Sequence, residues 1–66
     1  MTIYKIQLMR DEKFDGAEEN VEARTEKEAA EKLAGRLLYK QGPSSNIRAM
    51  VQAPRGGGNP TLFYER

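Results

Sequence analysis

Cysteine and histidine are both missing from this chain of 66 residues, and each absence closes off chemistry. Without cysteine there is neither a disulfide framework nor a thiolate metal site. Without histidine the commonest general base and the commonest metal ligand are lost together. An excess of one charge is missing too: eleven Lys and Arg against ten Asp and Glu leave a formal charge of +1. Bulk charge therefore recruits neither nucleic acid nor membrane. No apolar run reaches bilayer-crossing length and the amino terminus lacks a signal-peptide core, so the cytoplasm is the expected compartment.

Length sets the next bound. Residues 1–66 make a single domain, and neither a helix nor a sheet of this size buries enough apolar surface alone. The two must share one core, stabilised by good packing or by self-association.

What the chain does have is one well-signalled helix in residues 25–40 (TEKEAAEKLAGRLLYK). Thr25 and Glu28 have capping-box spacing, so hydroxyl and carboxylate can each satisfy an orphan backbone N–H. Ala29, Ala30, Leu33 and Leu37 recur at helical spacing, with Lys27, Glu28, Glu31 and Lys32 on the wet side. Gly35 could end the helix. Because Leu37 continues the apolar stripe, the longer helix is expected, carrying Gly35 at about 1 kcal/mol and ending before Gly42-Pro43.

The remainder reads as sheet. Residues 2–10 alternate cleanly, with Tyr4, Ile6 and Leu8 on one face and Ile3, Lys5, Gln7 and Met9 on the other. Residues 11–17 are a turn whose expected tight point is Asp15-Gly16. Residues 19–24 form a short, charged strand with Val21 and Ala23 inward, suited to an edge. Residues 46–53 put Ile47, Ala49, Val51 and Ala53 on one face and Arg48, Met50 and Gln52 on the other. A loop at 54–60 leads to a last strand, 61–65, in which either Leu62 and Tyr64 or Phe63 face the helix. Connection rules then give an α+β fold of ββαββ type: a four-stranded antiparallel sheet, strand order 2-1-3-4, with the helix packed on one face. The expected core is Tyr4, Ile6, Leu8, Val21, Ala23, Ala30, Leu33, Leu37, Ile47, Ala49 and Val51.

Chemistry is thin. Asp11, Asp15, Gly16 and Glu22 have calcium-loop spacing, but Lys13 takes a ligand position and the flanks read as strands, so a hairpin turn is expected. Ser44 and Ser45 have no histidine to activate them. The run Arg55-Gly56-Gly57-Gly58 lacks the Lys-Ser/Thr ending of a phosphate loop and occurs once, so it reads as a loop. No enzyme activity, cofactor or metal is expected.

One surface stands out. The sheet face away from the helix collects Ile3, Lys5, Met9, Arg24, Arg48, Met50 and Gln52, with Phe63 if the last strand is so turned. Long apolar side chains among cations suit a contact surface for a protein partner or a weak homodimer. Equally, scattered surface apolars are normal and aliphatic stems cover one another. The alternative is RNA or single-stranded nucleic acid, with Lys5, Arg24, Arg48 and Arg55 on phosphates. Acids dominate residues 11–31 and Glu65 is the only one after Lys32, so a local basic surface can form despite the neutral total. Stacking aromatics are few, since Tyr4 is expected to face the helix, and the nucleic-acid reading is not favoured.

The strand–helix junction at residues 21–33 (VEARTEKEAAEKL) resembles the archaeal ribosomal protein LX family. That resemblance implies a small β-α-β-β fold and contact with ribosomal RNA. The whole chain is also similar to small bacterial proteins of unknown function, which implies a compact α+β domain and no assigned site residues.

Overall fold

The computed structural model describes residues 1–52 and 58–66. Its spine is β1 (Thr2–Arg10), the alternating segment at the amino terminus. Tyr4 and Ile6 point to the core and are buried, while Ile3 and Lys5 on the opposite parity are exposed. At Asp11 and Glu12 the chain reverses in two residues, both in the left-handed region (φ 52° and 63°). Positive φ at both central residues gives a turn whose twist matches the flanking strands. It pairs Met9 with Phe14 and Arg10 with Lys13, forming the two-residue β2 (Lys13–Phe14). The tight point expected at Asp15-Gly16 is thus displaced, because those residues lie after β2 on the way to the next strand.

β3 (Glu19–Ala23) pairs antiparallel with the first half of β1, from Thr2↔Ala23 to Ile6↔Glu19. On the other edge of β1 lies β4 (Ile47–Val51), and outside it β5 (Thr61–Tyr64). The main ladder runs β3-β1-β4-β5, all antiparallel, which is the expected order once the short β2 is set aside. The last expected residue of the third strand, Ala53, and the segment through Gly57 lie outside the described residues.

The helix α1 (Glu26–Ala34) begins at the expected cap, with the Glu28 N–H donating to Thr25 Oγ1 at 3.1 Å, while the Glu28 carboxylate turns toward Lys32. The wet side carries Lys27–Glu31 at 3.1 Å and Lys32–Glu28 at 3.8 Å, both i,i+4. Its end corrects the longer helix. Gly35 adopts the left-handed conformation (φ 73°) and its N–H closes on the Glu31 carbonyl, so the chain leaves the helix there. Leu37, expected in the core, is 70% exposed, and Leu38 is fully buried in its place. The exit segment is pinned twice. The Leu38 N–H donates to Glu31 Oε2 at 3.0 Å, and Tyr39 exchanges backbone hydrogen bonds of 2.8 and 2.7 Å with Tyr64 on the outer edge of β5. That bridge satisfies part of an edge otherwise open to strand pairing.

Register decides the rest of the core. Ile47 pairs with Tyr64, but Ala49 pairs with Phe63, leaving Arg48 as the extra residue of a β-bulge. Since cross-strand partners share a face, Phe63 turns inward with Ala49 and is fully buried. Ile47, paired with Tyr64, is buried as expected, although it lies outside the cluster that packs on the helix. That cluster is Tyr4, Ile6, Ala23, Ala29, Ala30, Leu38, Ala49, Val51 and Phe63, with Leu8, Val21, Leu33 and Ala34 partly buried around it.

Candidate functional site

With one helix on one side, the other side of the sheet meets water, and its residues follow from strand register. Across the middle run Gln7, Met50 and Leu62, each paired with the next. One step toward the hairpin, Met9 faces Phe14, which is 54% exposed. Toward the opposite end the partners become polar: Lys5 opposite Asn20, and Ile3, 61% exposed, opposite Glu22. The face therefore has an apolar half around Met9, Phe14, Met50 and Leu62, and a charged half around Lys5 and Glu22.

Two glutamines tie the loop before β3 to this surface. Gln7 Nε2 donates to the Gly16 carbonyl and Gln52 Nε2 to Glu18 Oε2, both at 2.9 Å. The backbone of Gln52 also donates to the Lys5 carbonyl at 2.9 Å, extending the ladder past β4. Lys5, Met9, Met50 and Gln52 thus lie on the face expected of them. Arg24 is exposed but stands beyond the end of β3, two residues after the partner of Ile3. At about 3.3 Å per residue it is roughly 26 Å along the strand from Met9.

Arg48 sits at the bulge, and the cleft it lines takes Leu8 and Ala34 from the helix side and Met9 from the open side. Its Nε reaches Glu65 Oε2 at 3.3 Å and its Nη1 donates to the Ser45 and Ile47 carbonyls at 3.1 and 3.0 Å. The same Glu65 oxygen accepts from Arg36. Burial works against the charge of Glu65, but Arg36 and then Arg48 outweigh it and hold the carboxyl below its ordinary range. Glu31 is also shifted down, first by the Leu38 N–H and then by Lys27. Neither carboxyl is raised as a general acid at neutral pH must be.

Leu62 takes one of the two orientations that the last strand leaves open, and Phe14 joins the face from a segment that reads as a turn; its position opposite Met9 follows only from the two-residue hairpin. Among the described residues, no three acidic side chains converge as metal ligands do. No helix is long and apolar enough to cross a membrane. No family model matches the chain, and no curated protein or solved structure matches it significantly.

Proposed function

We propose that this protein is a small interaction module, acting by contact and not by catalysis, whose working surface is the open sheet face. The observation that carries the reading is the apolar half of that face: Met9, Phe14, Met50 and Leu62 brought together by register on a surface where alternation ordinarily places polar residues. Methionine adapts its shape to a partner, and an aromatic at the patch supplies contact area.

The occupant proposed is a second copy of the chain. A two-fold contact must be self-complementary, and this face carries both signs, Lys5 beside Glu22 and Glu18. A net charge of +1 offers little repulsion between copies. So small a domain also gains from burying the face.

Sedimentation equilibrium from micromolar to millimolar protein tests this. A monomer–dimer equilibrium that Met50→Asp and Leu62→Asp abolish is the expected result. A strictly monomeric wild type at millimolar concentration overturns self-association. A salt-dependent signal with mixed single-stranded RNA, lost in Lys5→Gln, would replace it with the nucleic-acid alternative.

A further inference from the structure

The early end of α1 has a consequence on the helix side of the sheet. Because the chain leaves the helix at Gly35, the far end of β1 and the bulge of β4 are not roofed. A cleft of about 90 Å³ remains there, lined by Leu8, Met9, Arg10, Asp15, Ala34, Arg36 and Arg48. Three arginines from three elements line it: Arg10 from β1, Arg36 from the helix exit, and Arg48 from the bulge of β4.

Their charges are only partly matched. Arg36 and Arg48 converge on one oxygen of Glu65, so two cations share a single carboxylate. Arg10 has one long contact, 3.7 Å from its Nε to Asp15 Oδ2, with side chains 74% and 56% exposed. Three arginines against Asp15 and Glu65 leave the cleft one positive charge in excess. Arginine presents a planar fork that matches a carboxylate, and Arg36 and Arg48 each give Glu65 only one N–H, both to the same oxygen. Beside the guanidinium groups, Leu8, Met9 and Ala34 offer apolar surface to a short carbon stem.

We propose that this cleft binds a carboxylate carried on a short aliphatic stem, held by Arg10, Arg36 and Arg48. The ligand takes the place of Asp15 on Arg10 and supplies the second carboxylate that the Arg36–Arg48 pair lacks. The site meets the open face only at Met9, and that face needs none of these arginines.

The test uses the full chain and propionate at pH 7 and constant ionic strength, read by 15N–1H correlation spectra that include arginine Nε signals. Saturable shifts at Leu8, Arg10, Arg36 and the Arg48 Nε, with Lys5 and Arg24 unmoved and chloride without effect, are the expected result. Propionate, having few atoms, should bind in about the millimolar range. Arg10→Gln and Arg36→Gln remove exposed side chains, so both variants should fold, and each should weaken binding by about tenfold. Lys5→Gln and Met50→Asp should leave it unchanged, which separates failure of this site from failure of the sheet-face reading. Shifts that grow linearly at every cation, or an affinity untouched by Arg36→Gln, overturn the site. Inorganic phosphate binding more tightly than propionate overturns the assignment to a carboxylate.

Discussion

The two faces of the sheet are built from the same strands on opposite parities, yet they are packed in different ways. On the helix face the contact residues are small, with Ala23, Ala29, Ala30 and Ala49 fully buried, so the helix can approach closely. The space that remains is filled by Phe63, Ile6, Leu38 and Val51, which are branched or aromatic with few accessible rotamers. On the open face the central side chains are long and largely unbranched (Gln7, Met9, Met50 and Gln52), and all are half-buried. Shape fixes the first face; the second can still adapt. Truncation should therefore cost much on one side and little on the other.

The largest effects are expected on the closed side. Removing a buried Phe costs about 3–5 kcal/mol and a buried Leu about 2–5. A chain of this length has roughly 3–10 kcal/mol of stability in all. Phe63→Ala should therefore abolish most of the folded population at 25 °C, and Leu38→Ala should lower the urea midpoint strongly, both followed by circular dichroism. If either variant unfolds like wild type, the closed face is not the core.

A smaller loss is expected where the exit segment meets β5. A Cβ built on Gly42 lies 2.9 Å from Tyr64 Cβ and 3.2 Å from its Cγ, closer than atoms of this kind approach. Tyr64 cannot retreat easily, since its backbone is bonded to Tyr39 on one side and paired with Ile47 on the other. Gly42→Ala should cost about 1–3 kcal/mol, the usual range for overpacking. A change below 0.5 kcal/mol, on the order of a neutral surface substitution, means that the loop moves aside freely.

Glu31 links the helix to that same segment and makes it sensitive to acid. Its carboxylate accepts from the Leu38 N–H and from Lys27, and both hydrogen bonds favour the charged form, so the folded carboxyl titrates below its ordinary value of 4.5. The stabilisation is complete above that ordinary value and is lost as pH falls through the lower, folded one. Glu31→Ala should cost about 1–2 kcal/mol at pH 7, because the Leu38 N–H loses its acceptor. The gap between variant and wild type should close as acid protonates Glu31. A gap that stays constant down to pH 2 would mean that the charge is irrelevant.

Much of this arrangement was legible in the chain, and the parts that were not share a cause. Strict alternation in residues 2–10 gave the first strand its bounds and its inward residues, and Thr25 with Glu28 marked the helix start. Those signals are local. The helix end was misjudged because Leu37 falls four residues after Leu33. Periodicity cannot register that Gly35 turns left-handed and that the next buried leucine arrives on extended chain. Phe63 could not be oriented from a short strand apolar on both parities; the bulge at Arg48, a feature of pairing with β4, decides it. The reversal at Asp11 and Glu12 carries no glycine, so the glycine at position 16 drew the turn toward itself. Phe14, one of the four residues of the apolar patch, was hidden by that displacement.

The smallest expected effects make the sharpest comparison. Leu37 and Leu38 are neighbours with the same side chain, one 70% exposed and the other fully buried. Leu37→Ala should change stability by less than about 0.5 kcal/mol, as surface substitutions do, against several for Leu38→Ala. Met50→Ser on the open face should behave like Leu37→Ala when measured at micromolar protein, where the proposed dimer would be dissociated. It should become costly only at the higher concentrations at which the proposed dimer would form, since binding stabilises by mass action. A concentration-independent loss of 2 kcal/mol or more, on the order of a core truncation, would place Met50 in the core of the single chain and leave the open face no role as a contact surface.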